Sequence, residues 1–405
     1  MLNTTFAPWP SFTQEEATTV HDVLLSNKVN YWTGTEGREF EKEFAVFTGC
    51  KHAIALANGT VALELALEAL CIQQDDEVIT TSYTFIASAS AIVMRGAVPV
   101  LADVDPNSLN ITAETIRAVI TPKTKAIIAV HLVGNPCNMD PIMELAREHD
   151  LKVIEDCAQC HGATYKGRPV GSLGDAAAFS FCQDKIMTTG GEGGMLTTND
   201  EDLWKRAWAF KDHGKSFDAV YNREHPPGFR WLHESFGTNW RMTEMQAAIG
   251  RIQLRRLPEW KKKRQENAAI LTECFKKIPA LRVMEVPAYI DHAYYKYYVF
   301  IRPEAFNQPP ASSPQPPGAL RDQVMNAITA EGIPCFSGIC PEIYLEKAFT
   351  DSGYGPKSRL PNAKALGETS LLFLVHPTLG EVEMRATCAA VEKVFERLGR
   401  GTRDE

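Results

Sequence analysis

Between about residues 53 and 200, short apolar runs alternate with segments of helical character, and this alternation constrains the fold more than any other feature of the chain. The runs cover residues 77–80 (EVIT), 98–104 (VPVLADV), 126–132 (AIIAVHL), 151–155 (LKVIE) and 176–181 (AAAFSF). Residues 61–70, 83–94, 113–119 and 140–149 lie between them. Apolar runs without polar alternation suit strands buried on both faces, and intervening helices supply the crossovers that parallel strands require. The pattern predicts an α/β chain on a mostly parallel sheet, with helices covering both faces. Segment 83–94 carries apolar or small residues on most of its faces, so it is expected to be buried.

Beyond residue 200 the pattern changes. Residues 200–210 and 242–263 read as helices, the second with Thr243 as its N-cap and with the charged stretch 261–264 at its end, a solvated face or a hinge. Residues 281–302 read as strands (LRVMEVP, YYKYYVFIR), and helices return over 320–331 and 381–398. Residues 303–318 hold six prolines and predict a flexible or extended surface loop. The expected organisation is a large domain over residues 1–264, including the N-terminal segment, and a smaller α+β domain over 265–405.

Composition narrows the function classes. The 42 Lys and Arg against 50 Asp and Glu give a net charge of −8, which argues against a general nucleic-acid or anionic-membrane surface but allows a small anion held locally. Ten cysteines scattered through 405 residues are too dilute for a disulfide scaffold and read as reduced thiols. No run approaches the roughly 18 apolar residues of a membrane span. The opening MLNTTFAPWPSFTQEEA lacks the basic start and apolar stretch of a signal peptide, so the expectation is a soluble, cytoplasmic protein.

Three polar clusters carry candidate chemistry. Lys185 follows the run AAAFSF and precedes Gly190-Gly191-Glu192-Gly193-Gly194. A lysine at the end of a buried strand suits a Schiff base to an aldehyde cofactor, although a surface lysine in a hairpin loop has the same local sequence. Asp156 ends the run at 151–155, at the strand edge where open α/β sheets bind ligands. It could hold a cofactor ring nitrogen protonated, or simply cap a following helix. Asn58-Gly59-Thr60 opens a helix-like segment and could cradle a phosphate or only cap the helix. Cys157, Cys160 and His161 match a haem-attachment spacing, but that reading requires export, and no second CxxC supports a zinc site. His131, His161 and His376 read as structural histidines.

The order of NGTVALELAL, DDEVITTSYTFIASASAI, GAVPVLADVD, AVHLVGNPCNMDPI, VIEDCAQCHGATYKGRPVGSLGDAAAFSFCQDK, GGEGGMLTTND and GTNWRMTEMQAAIGRIQL resembles the DegT/StrS-type sugar aminotransferase family, most closely over residues 20–260. The resemblance implies a type I pyridoxal phosphate fold, with a mostly parallel sheet of the seven-stranded type and a smaller C-terminal domain. It implies that Lys185 carries pyridoxal 5′-phosphate covalently and moves protons between cofactor and substrate carbons. Asp156 would pair with the ring nitrogen, Gln159 would lie against the ring and its phenolic oxygen, and Phe85 would stack on the other face. Gly59, Thr60 and Ser180 would bind the phosphate. Asn239 would reach the phosphate of the neighbouring subunit, which implies an obligate homodimer with shared sites.

The resemblance implies one residue fewer between the lysine and the glutamate of the Gly-Glu-Gly-Gly stretch, so the loop before Glu192 is expected to bulge. Asp184, beside the lysine, is also uncommon there. The resemblance further implies amination of a nucleotide-linked keto-sugar with glutamate as donor, leaving 2-oxoglutarate. The acceptor by overall likeness is a 4-keto-6-deoxyhexose, with a 3-keto-sugar as the alternative. Tyr31, Trp32 and Thr33 would line the sugar pocket, though the two aromatics equally suit core packing. A sugar dehydratase or a non-enzymatic sugar-sensing relative are the other readings. Dehydratase relatives replace the lysine with histidine, whereas this chain keeps Lys185.

Overall fold

The computed structural model describes residues 5–306 and 318–399. Its central sheet has seven strands: β1 (His52–Leu56), β2 (Glu77–Thr81), β3 (Val98–Ala102), β4 (Thr124–Val130), β5 (Lys152–Asp156), β6 (Ala176–Ser180) and β7 (Gly194–Thr198). The order across the sheet is β1-β7-β6-β5-β4-β2-β3. The five apolar runs of the sequence form β2 to β6, all mutually parallel. β7 runs antiparallel to both of its neighbours. β1 (HAIAL) and β7 (GMLTT) are additional to the expected strands, and their small residues dilute the apolar signal.

The strands are mostly apolar because both faces are covered. Ile79, Ile127 and Val153 pack into one core with Phe40, Phe44, Phe179 and Phe181. Their neighbours Val78, Ile128 and Ile154 turn the other way, toward Leu63, Leu67 and Trp208. Adjacent residues alternate between faces, yet each face meets a helical layer, so few strand positions are left to water. After α1 (Gln14–Leu25), helices α2 (Glu36–Thr48), α3 (Gly59–Ala69) and α4 (Ala87–Met94) belong to these layers. α4 starts four residues later than the sequence suggested. Ser82 N–H still bonds to Ala102 (3.2 Å) and Tyr83 N–H to Thr81 Oγ1 (3.1 Å), so residues 82–86 continue from the sheet as a loop.

Thr243 caps α5 (Glu244–Phe275) in a capping box with Gln246, as expected. The helix does not end at residue 263 but continues to Phe275, because its charged stretch is held in place. Lys261 reaches Gly162 O (3.0 Å) and Asp291 (2.5 Å), and Arg264 is buried with its guanidinium 5.2 Å from the Trp9 ring. The boundary expected at residue 264 falls inside this helix. Its first half packs on the central sheet through Ala247, Leu254 and Leu257. Its second half packs through Ala268, Leu271 and Phe275 on an antiparallel sheet of β8 (Leu281–Val283), β9 (Tyr297–Ile301), β10 (Cys335–Phe336) and β11 (Ser370–Phe373), ordered β8-β9-β11-β10. Helix α6 (Glu381–Gly399) closes that second core through Val391 and Val394. Of the expected proline-rich loop, Pro303–Ala305 forms a 3-10 turn and residues 307–317 lie outside the described residues. Among the described residues, no helix is long and apolar enough to cross a membrane.

Candidate active site

The carboxyl ends of the parallel strands open into a cleft of about 890 Å³. Its lining includes Gly59, Thr60, Phe85, Asp156, Gln159, Ser180 and Lys185, seven residues singled out in the sequence. β9 and the segment leading into it close the cleft with Tyr295, Lys296 and Tyr298. A concave site at the carboxyl edge of an open α/β sheet is where such folds bind ligands.

Asp156 is the last residue of β5 and is buried. Turns follow it rather than a helix, so it is not a helix cap. Its Oδ2 accepts from Ser88 Oγ at 2.8 Å and its Oδ1 from Ala158 N–H at 3.1 Å. Burial pushes the carboxyl above its ordinary value, against the pull of these two donors, Lys185 and His131. A cationic ring nitrogen in the cleft would offset that cost.

Gln159 Oε1 accepts from Val133 N–H (2.9 Å), which leaves its NH₂ group to donate into the cleft. Val133 sits at φ 54, unusual for a β-branched residue, and this hydrogen bond helps hold it there.

Lys185 lies on the β6–β7 connection, not on a free hairpin. Its carbonyl accepts from Trp9 Nε1 (2.8 Å), its N–H bonds to Cys182 O (3.1 Å), and its ammonium lies 5.2 Å from the Tyr295 ring centroid. The Tyr295 hydroxyl donates to Asp184. Against the desolvation that the cleft imposes, Lys185, this hydroxyl and Lys296 hold the Asp184 carboxyl below its ordinary value. The extra residue before Glu192 is absorbed by consecutive glycines in left-handed conformations, Gly190 (φ 87) and Gly191 (φ 126).

At the other end of the cleft, Asn58 caps α3 by accepting from Val61 N–H (3.0 Å), and the first helical N–H groups face the site. The approach is close: a Cβ on Gly59 would fall 2.5 Å from Ser180 Cβ, and one on Gly194 would fall 2.3 Å from Asn58 O. These glycines bring the helix N-terminus against the end of β6, which builds an anion cradle without a basic side chain. Phe85, 61% exposed, stands at the mouth of the cleft with its ring free to cover a ligand.

The structure does not bring the remaining candidates to this cleft. Asn239 is exposed and bridges to Asp212. Tyr31 is buried, donates to Glu41 (3.0 Å) and carries the Lys211 ammonium 4.0 Å from its ring centroid. Trp32 Nε1 donates to Asp212 (2.6 Å), and the Thr33 hydroxyl donates to Asn30 O (3.2 Å). Cys157, Cys160 and His161 are buried behind Asp156, and burial pushes the His161 imidazole down to about 3. His131, Glu155 and Cys157 lie close enough together for a metal. Glu155, however, already accepts three backbone N–H groups from Gly171, Leu173 and Gly174 as well as facing His131 at 2.9 Å, so it anchors a loop. Sequence reasoning missed Trp9, Ser88, Tyr295 and Lys296. Ser88 left a trace as a small polar residue in a segment expected to be buried, whereas Trp9 and the tyrosine-lysine run lie far away in the chain.

The family profile of the DegT/DnrJ/EryC1/StrS aminotransferase family matches residues 10–392. This chain belongs to that family. The match extends past residues 20–260 into the second sheet and its helices. The solved aminotransferase from Psychrobacter cryohalolentis superimposes with a TM-score of 0.93 at 58% identity, over 97% of this chain and 100% of that one. The GDP-perosamine synthase of Caulobacter vibrioides is 50% identical over 241 residues, 59% of this chain and 62% of that enzyme. The UDP-N-acetyl-3-dehydro-alpha-D-glucosamine 3-aminotransferase of Acidithiobacillus ferrooxidans is 34% identical over 373 residues, 92% of each chain.

Aminotransferases of this fold use pyridoxal 5′-phosphate, which is the cofactor of this family member. The cleft fits it: Lys185 faces a carboxylate that burial leaves short of a cationic partner, and the α3 cradle offers N–H groups to a phosphate. Gly59→Ala is expected to push α3 away from Ser180 and weaken cofactor affinity by on the order of ten-fold or more, a cost of about 1.4 kcal/mol. Fluorescence titration of the apo-protein with the cofactor checks this.

Proposed function

We propose that this protein moves an amino group from glutamate to the keto carbon of a nucleotide-linked 4-keto-6-deoxyhexose, in cytoplasmic amino-sugar or surface-polysaccharide biosynthesis. The observation that carries the reading is the convergence of Lys185, Asp156, Gln159 and the α3 N-terminus on one cleft. When bound, pyridoxal phosphate supplies an aldehyde for the amino group and an electron sink for the carbon it leaves.

In this reading the Lys185 amine carries the cofactor and then shuttles a proton between two carbons. The Asp156 carboxylate keeps the ring nitrogen charged, and Gln159 donates to the phenolic oxygen. Gly59, Thr60 and Ser180 hold the phosphate, and Phe85 covers one ring face and excludes water. Exposed Asn239 reaches the phosphate of the other subunit in a homodimer with shared sites. Trp32 and Thr33 act at that shared boundary, toward the sugar, with Tyr31 behind them in the core. The likeness to a GDP-perosamine synthase favours the 4-keto acceptor, while the likeness to a 3-aminotransferase favours a 3-keto-sugar.

Mass spectrometry of products from a panel of nucleotide-linked 3-keto- and 4-keto-sugars with glutamate tests the reading. The expected result is an amino-sugar nucleotide from a 4-keto-6-deoxyhexose. Amination of 3-keto acceptors alone selects the second reading, and loss of water without consumption of glutamate overturns both.

A further inference from the structure

We infer that Lys296 receives the carboxylate bonded to the reacting carbon of the amino donor, and so selects the donor in the half-reaction proposed above. The inference rests on that proposed function. Two cationic side chains line the cleft among the described residues, Lys185 and Lys296. The first is committed to the cofactor. Lys296 is half-buried, forms no hydrogen bond or ion pair among the described residues, and has its ammonium 4.9 Å from the Tyr295 ring centroid. The same ring carries the Lys185 ammonium, so both cations stand at one tyrosine, at the reacting end of the cleft.

An ammonium held in a cleft with no anion bonded to it is costly unless a ligand supplies one. Burial brings Lys296 down to about 8, with Arg264 and Lys185 adding to it against the pull of Asp184, whose carboxylate accepts from the Tyr295 hydroxyl. Four anionic groups enter this site during turnover, and one of them, the donor's side-chain carboxylate, stands two methylenes away from the carbon that reacts. The cofactor phosphate is met by the α3 N-terminus and hydroxyl groups. The diphosphate of a sugar nucleotide is separated from the reacting carbon by a sugar ring. The donor's α-carboxylate is bonded directly to the carbon that reacts, so it must lie beside Lys185. Lys296 is the cation in that place.

The test compares the holoenzyme with Lys296→Met and Lys296→Arg. The glutamate half-reaction is followed by the cofactor absorbance, with glutamate and its α-amide, isoglutamine, as donors. Calorimetry measures binding of glutarate and of the sugar nucleotide. Lys296→Met is expected to raise the KM for glutamate on the order of 10- to 100-fold, erase the preference for glutamate over isoglutamine, and weaken glutarate to a similar degree. Sugar-nucleotide affinity should hold, and Lys296→Arg should recover part of the loss. Unchanged glutarate binding and an intact preference, or a loss confined to the sugar nucleotide, overturn the assignment. A wild-type enzyme that does not deaminate glutamate sinks the proposed function instead, and glutarate binding by the variants still decides whether Lys296 holds a carboxylate.

Discussion

Lys185→Ala is expected to lose at least about 10³-fold in amino transfer while the protein keeps its fold. Proton transfer by a positioned group contributes roughly 10²- to 10⁴-fold, and the lost covalent anchor for the cofactor adds to this. The fold should persist because the backbone at this position is fixed by contacts that do not use the side chain, from Trp9 Nε1 to the carbonyl and from the N–H to Cys182 O. Thermal unfolding of the variant should therefore stay within a few degrees of the wild type, roughly the shift that 1 kcal/mol produces in a chain of this size. The visible absorbance of the covalently held cofactor should vanish, and a single-turnover experiment with glutamate should leave the keto acid unformed. Lys185→Arg separates charge from chemistry. It keeps a cation near the Tyr295 ring but offers no amine that releases a proton near neutral pH, so it should be as inactive as the alanine variant. Substantial turnover in either variant would remove Lys185 from the reaction.

How far the site was legible follows from how locally each part is encoded. Asp156 and Ser180 end apolar runs whose strand character is set within five residues, and Gly59 opens a helix whose cap, Asn58, immediately precedes it. Their convergence follows from the parallel topology, because every such strand delivers its last residue to the same edge. The strands β1 and β7 were opaque because alanine and glycine dilute the apolar runs that mark the other strands. Trp9, Tyr295 and Lys296 were opaque for a different reason. They reach Lys185 from chain segments more than a hundred residues away, and nothing in their own neighbourhoods specifies that approach. The long α5 was cut short because a charged stretch reads as a helix end. Here Arg264 is buried against Trp9 and Lys261 is tied to Asp291, so the charges face protein rather than water.

Asp156→Asn is expected to cost on the order of 10²- to 10³-fold in turnover, the scale seen when one preorganised electrostatic group is removed from a reacting centre. The substitution is nearly isosteric and its hydrogen bonds survive. The amide oxygen still accepts from Ala158 N–H, and the amide NH₂ can donate to Ser88 Oγ, whose own proton turns to Thr84 Oγ1 at 3.1 Å. What disappears is the charge that would hold the ring nitrogen protonated. Stability should move in the opposite sense. Burial raises this carboxyl in the cofactor-free protein, so the folded state binds a proton that the unfolded chain has already released above its pKa of about 3.9. Stability therefore falls as pH rises from the unfolded pKa through the folded one, and at neutral pH the cofactor-free wild type bears the full cost of a buried carboxylate. Asp156→Asn should accordingly melt higher than the wild type without cofactor at pH 7, with the difference shrinking below about pH 4. Adding pyridoxal phosphate should reverse the ranking, because the ring nitrogen supplies to the wild type the cation that asparagine cannot use. Calorimetric melting of both proteins, with and without cofactor at two pH values, reads all four states. A variant that melts lower than the wild type without cofactor at pH 7 would mean that Asp156 is a structural carboxylate rather than a charge held ready for the ring.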